Sequence, residues 1–240
     1  MQTFILITIV VIATIHLMMA SVLSLYSRYK VQYLSLAWIM GIFGALCCVA
    51  IPFSYLLRFE NIGLLHPFML LALVGTCFLQ GIYPLSIPMP GYLQWGRMWR
   101  YASPAIFLII LYVVSLLLGN RPVIVHTYSE LADCWWGPDM LFRLAGLGLS
   151  VYYVANILRL PRLLVKNAEI PRYLKGYVTA MGLNMVFYIV VTAVFNAMLL
   201  LVYFYLFCLL NMYLFYRTLE TMASGISRTG MFACLLRQTF

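Results

Sequence analysis

Residues 176–216 read GYVTAMGLNMVFYIVVTAVFNAMLLLVYFYLFCLLNMYLFY, 41 residues without one charged side chain. As a single helix this run would be roughly 60 Å long at about 1.5 Å per residue. The hydrocarbon core of a bilayer is only about 30 Å thick. The run therefore reads as two spanning helices joined by a tight turn, placed near Asn196. Its apolar residues are continuous rather than alternating, which excludes barrel strands, so the spanning element is helical.

Outward from this block lie five more apolar stretches: Phe4–Leu25, about Tyr33–Leu57, about Leu65–Leu85, about Ser103–Leu118 and about Met140–Leu158. The expected fold is all-α, a polytopic integral membrane bundle of seven transmembrane helices over residues 1–217, with a short cytoplasmic tail at 218–240. Composition agrees. Of 240 residues 65% are hydrophobic and 9% charged, and the mean hydropathy is +0.99, against about 45–50% apolar and about 25% charged in a soluble domain. One water-soluble core of this size cannot bury that excess. A cytosolic globular enzyme, a disordered chain and a disulfide scaffold are all excluded.

Charge sets the orientation. With seven spans, twelve basic residues share one side: Arg28, Lys30, Arg97, Arg100, Arg159, Arg162, Lys166, Arg172, Lys175, Arg217, Arg228 and Arg237. Three fall on the other: Arg58, Arg121 and Arg143. Basic residues near span ends prefer the cytoplasm, so the expected topology is N-out and C-in. No basic residue precedes Phe4, while Arg28 and Lys30 follow the first span, the order of an uncleaved anchor rather than a signal peptide. The expected location is the inner (cytoplasmic) membrane. The cluster Arg159, Arg162, Lys166, Arg172 and Lys175 reads as attraction to anionic lipid headgroups or as contact with a cytoplasmic partner, not as a nucleic-acid surface. Trp135 and Trp136, in the long outer loop Gly119–Asp139, and Tyr92, Trp95 and Trp99 on the inner side suit the two water–lipid interfaces as anchors.

Chemistry-bearing residues are sparse. No H-E-x-x-H, G-x-S-x-G or Walker pattern is present, no C-x-x-C, and the histidines His16, His66 and His126 stand apart, so no catalytic residue, metal site or cofactor is expected. An ionisable residue deep in hydrocarbon is a functional candidate by default, and only Arg143, one turn inside the fifth span, approaches that position. It is expected to pair with Glu60 or to reach back to the interface. His16, Asn156 and Asn184 lie within spans and join Glu60 and Arg143 as candidates for a small-ligand pocket between helices, or for hydrogen bonds that hold helices together. Asn196, Asn211, Thr14, Thr76, Gln80 and Thr192 complete the polar content. Small residues spaced by four, Gly41/Ala45, Gly44/Cys48 and Gly146/Ser150, let helices approach closely and read as packing faces, within one chain or in a homodimer.

Between the third and fourth spans the chain reads Tyr83-Pro84-Leu85-Ser86-Ile87-Pro88-Met89-Pro90-Gly91-Tyr92-Leu93-Gln94-Trp95. Pro90-Gly91 is a turn signal. With the basic loop before the sixth span and the aromatic end Tyr213-Leu214-Phe215-Tyr216-Arg217, this pattern resembles the N-terminal membrane half of AraC-type regulators of the Bacteroidetes, over roughly residues 1–220. The resemblance implies a sensor bundle preceding a cytoplasmic helix-turn-helix domain. After Arg217 only Thr218–Phe240 remains, without a helix-turn-helix pattern, so no DNA binding by this chain is expected. The expectation is a membrane sensor-like domain, truncated or working through a partner; the alternative is a small multi-pass transporter or channel.

Overall fold

The structure, a computed structural model, describes residues 2–26, 31–56, 62–86, 95–120, 123–165 and 172–238. These residues form helices α1 (Gln2–Tyr26), α2 (Val31–Leu56), α3 (Pro67–Ser86), α4 (Trp95–Leu117), α5 (Tyr128–Asp133), α6 (Pro138–Val165), α7 (Arg172–Val194) and α8 (Ala197–Gln238), with no strand among them. Five stretches are long and apolar enough to cross a membrane: Thr3–Tyr26, Met98–Leu117, Pro138–Arg159, Tyr173–Val194 and Ala197–Thr221. The apolar parts of α2 and α3, Leu36–Ile51 and Pro67–Ile82, are shorter. By length and composition this is a helical, multi-pass membrane protein.

The long apolar block is two helices. α7 stops at Val194, Phe195 adopts a left-handed φ of 38°, and Asn196 opens α8. The Asn196 Oδ1 accepts from the Met198 N–H at 2.8 Å, capping donors that α8 cannot satisfy itself. α8 then continues as helix through residues 218–238.

Other boundaries differ from expectation. α4 begins at Trp95, eight residues before Ser103, because the segment 95–102 keeps helical backbone bonding below its apolar part. Pro104 inside α4 cannot donate to the Arg100 carbonyl. The Ser103 hydroxyl donates to that carbonyl at 3.2 Å, and the Tyr153 hydroxyl of α6 takes the Tyr101 carbonyl at 2.7 Å. α6 runs past Leu158 to Val165, so Arg159 and Arg162 sit on helix rather than loop, and Arg172 and Lys175 open α7. Lys166 lies outside the described residues, as do Glu60 and Tyr92. The connection between α4 and α6 contains the short α5, whose N-cap Thr127 accepts from the Glu130 N–H while Glu130 accepts from the His126 N–H at 2.9 Å.

α1 and α2 pack as a close antiparallel pair. Gly44 makes this possible: a Cβ there would sit 2.7 Å from Leu17 Cγ of α1, and one at Gly41 would meet Ala20. Gly146 likewise faces Leu70 of α3. All three glycines of the small-residue pairs therefore face neighbouring helices of the same chain. Buried side chains of α2, α3, α6, α7 and α8 form one continuous core around Met40, Leu73, Tyr153, Tyr177 and Val191.

Three connections meet at one end of the bundle. The turn 62–66, between α2 and α3, lies between the segment 123–126 and the end of α7: Leu64 N–H donates to the Val125 carbonyl at 2.7 Å and Leu65 N–H to the Thr192 carbonyl at 2.9 Å. Leu65 holds a left-handed φ of 49° to do so. Gly63 is required here, since a Cβ would lie 2.0 Å from the Val125 carbonyl oxygen. The Tyr128 hydroxyl of α5 donates to the Ala193 carbonyl at 3.0 Å, joining the third connection.

Candidate functional site

Between the α1–α2 pair and the helices α3, α7 and α8 lies a cavity of about 360 Å3. It sits toward the end where the three connections meet, with Ile62 and Phe68 on that side. Phe43 of α2 and Phe207 of α8 contribute to its wall, together with Tyr188 of α7 and Tyr203 of α8, whose rings stack at 4.1 Å. Of its lining side chains, Leu46 and Val49 of α2 and Ile109 of α4 are about half exposed. A Cβ at Gly75 of α3, also in the wall, would meet nothing within 4 Å. Among the described residues, no charged side chain lines the space.

Next to the aromatic wall runs a buried chain of hydrogen bonds linking four helices. The His16 Nδ1 faces the Ile12 carbonyl at 2.8 Å, and a carbonyl only accepts, so Nδ1 carries the proton. Nε2 is then the acceptor and takes the Asn211 Nδ2 donor at 3.1 Å. The Asn211 Oδ1 accepts from Gln80 Nε2 at 3.3 Å, and the single Tyr177 proton is shared between Asn211 Oδ1 and Gln80 Oε1, both at 2.9 Å. Every acceptor and donor of this arrangement is used in one consistent sense. His16 touches the cavity wall without lining it. Its ring stacks on Phe207 at 5.6 Å and meets the edge of Phe43 at 6.2 Å. A displacement of either phenylalanine by an occupant of the cavity would thus be felt by the link from α1 to α8.

Arg143 does not line the cavity. It is 1% exposed. Its guanidinium pairs with Asp139, one turn earlier on α6, with Nε to Oδ2 at 2.8 Å. It also donates to the Leu64 carbonyl at 2.6 Å, to the Leu65 carbonyl and to the Val123 carbonyl. Backbone groups of two distant segments thereby converge on one side chain. The arrangement is a structural strut, and its donors are occupied. Of the expected pocket residues, Asn156 lies half-buried beside the Tyr101 hydroxyl, away from the cavity. Asn184 is buried on α7 with neither amide atom hydrogen-bonded, one turn from Tyr188. Among the described residues, the four candidates His16, Arg143, Asn156 and Asn184 are therefore not brought together. Trp99 and Trp135 are about half exposed and Trp136 is 94% exposed.

His66, in the turn before α3, is buried, and its Nδ1 accepts from the Phe68 N–H at 3.3 Å. Burial, then the positive charge of Arg143, push its pKa down to about 4, opposed in part by Asp139. The unfolded chain binds this proton near pH 6.5 and the folded chain only near 4, so stability is full above about pH 6.5 and falls as the pH drops toward 4. The expected loss is roughly 2–3 kcal/mol by pH 4. Thermal unfolding in detergent across this range should show it, and His66→Asn, which cannot titrate, should flatten the slope. An equal slope in both proteins would contradict the assignment.

No protein-family model, curated protein or solved structure matches this chain.

Proposed function

We propose that the chain is a seven-span membrane sensor domain of the inner (cytoplasmic) membrane, with its N-terminus outside and its C-terminus inside. In this reading the shorter apolar helices α2 and α3 also span. The basic residues at the α6–α7 end then lie against anionic headgroups. The output acts on a cytoplasmic partner, in the manner of the membrane half of an AraC-type regulator, to which the sequence pattern is similar.

One observation carries the reading: Phe43 and Phe207 belong both to the wall of the cavity and to the aromatic packing around His16. Occupancy of the cavity would shift these rings, strain or relax the His16–Asn211 bond, and so change how α8 is held. A ligand acts this way only if its affinity differs between the two packings. α8 extends as helix to Gln238, so a change at Asn211 has a continuous element along which to reach the C-terminal end.

The test has two parts. Reporters fused after Phe240 should be active only in the cytoplasm; an exported reporter that is active there overturns the orientation. Hydrogen exchange of the protein in nanodiscs should differ along α8 between discs of native lipid extract and discs of one synthetic phospholipid. Identical α8 exchange in the two would remove the sensor reading, and solute flux in proteoliposomes would favour a transporter instead.

A further inference from the structure

We infer that the cavity takes an uncharged, single-chain amphiphile dissolved in the bilayer, with its one polar group, a hydroxyl or carbonyl oxygen, on the Tyr203 hydroxyl. The inference names the ligand class of the sensor reading and rests on that reading only for the consequence of binding.

The occupant's chemistry follows from the wall. Its side chains are carbon apart from the Thr76 hydroxyl, the Cys47 thiol, the Met69 thioether and the Tyr188 and Tyr203 hydroxyls. Thr76 spends its proton on the Ala72 carbonyl of its own helix at 2.7 Å. Tyr188 has only a long contact to Met69 Sδ at 4.0 Å. Tyr203 is 2% exposed and its hydroxyl has no hydrogen-bond partner among the described residues. A hydroxyl left unmade against an apolar wall is costly; this one is not fully enclosed and belongs to a cavity-lining residue. It supplies one donor and one acceptor site to a guest and nothing more.

Charge is excluded at the same place. Tyr203 is the seventh residue of α8, about 9 Å along the helix from its start. Among the described residues no lysine or arginine lines the cavity, and the buried Arg143 is committed to Asp139 and three carbonyls. A carboxylate or phosphate placed there would lie uncompensated within the apolar region. A phospholipid, whose charged headgroup must stay at the interface, cannot present a polar atom to Tyr203. Leu46, Val49 and Ile109 in the wall are about half exposed on apolar helices, a route by which the guest enters sideways from the membrane.

The full-length protein in nanodiscs should be labelled by a photoactivatable long-chain alcohol, with the label mapped to peptides of α3 and α8. Gly75→Leu places a side chain into open space within the cavity and should lower that labelling by about tenfold, as expected if the loss of apolar contact amounts to about 1.4 kcal/mol. Tyr203→Phe keeps the ring and its stack on Tyr188. It should lower labelling by the alcohol about fivefold, the worth of one neutral hydrogen bond, and leave labelling by the matching photoactivatable alkane unchanged. Unchanged labelling in Gly75→Leu that is folded by thermal melting overturns the site. Should Gly75→Leu not fold, Tyr203→Phe decides alone: equal effects on alcohol and alkane overturn the polar contact. Gly75-dependent labelling by a phospholipid probe overturns the single-chain assignment. Labelling as expected with unchanged α8 exchange upholds this ligand class and removes the sensor reading; the two fail separately.

Discussion

Arg143→Met is expected to cost about 3–5 kcal/mol of stability, the range seen when one partner of a buried ion pair is removed. The size follows from what the guanidinium holds. Methionine fills much of the same volume but leaves Asp139 without its cation and the carbonyls of Leu64, Leu65 and Val123 without this donor. Leu64 and Leu65 also hold the turn against Val125 and Thr192 through their N–H groups, and Leu65 does so at a left-handed φ. Among the described residues, the bonds from α6 to this turn are those of Arg143. Arg143→Lys retains the charge but offers a point of donation instead of a planar fork, so it should recover the Asp139 pair and lose the bridging of two segments, with an intermediate cost. Unfolding in mixed micelles measures the global effect. Hydrogen exchange at residues 62–66 and 123–125 reports the local one, and should rise in Arg143→Met well before the rest of the bundle opens. An unaltered melting curve with unaltered exchange at these segments would show that the strut bears no weight.

The parts of this arrangement differ in how far sequence reveals them. The break at Phe195–Asn196 was legible because an uncharged run of 41 residues is too long for one crossing, and asparagine is a good cap. The beginning of α4 was not, because residues 95–102 carry two tryptophans and two arginines and mimic an interfacial loop, although Gly96 alone among them disfavours a helix. α5 had a visible signal, Thr127 followed three residues later by Glu130, masked by the acids and tryptophans around it. Arg143 stood out as the one charge inside a span, and Asp139 four residues earlier was a readable helix-face partner. Its bonds to Leu64 and Val123 were not readable, since backbone carbonyls carry no sequence mark. The cavity was illegible for a related reason. Its wall is assembled from residues of α1, α2, α3, α4, α7 and α8 that are far apart in the chain, which no local pattern marks. Its density of aromatics in the last span was visible, but it reads equally as packing.

The polar chain was legible only as separate residues, and its linkage leads to the second large expected effect. Asn211→Leu should destabilise the bundle by roughly 2–5 kcal/mol, because two buried groups lose their only cross-helix partner at about 1–3 kcal/mol each: the Nε2 acceptor of His16 and the Nε2 donor of Gln80. Tyr177 keeps Gln80 Oε1 and is spared. The polar groups also find partners in a membrane-embedded unfolded state, which places the effect toward the lower end. The sharper expectation is in the couplings. Removing both ends of the α1–α8 link, as in His16→Phe with Asn211→Leu, orphans only Gln80, so the double variant should be less destabilised than the sum of the two single variants. The cycle should give a coupling of about 1 kcal/mol or more, against near-additivity for His16→Phe with Arg143→Met, which share no partner. Should the first pair be additive as well, His16 and Asn211 would be neighbours without a bond of consequence. The cavity would then have no route to α8 through His16, and a signal would have to pass directly through Tyr203 and Phe207 instead.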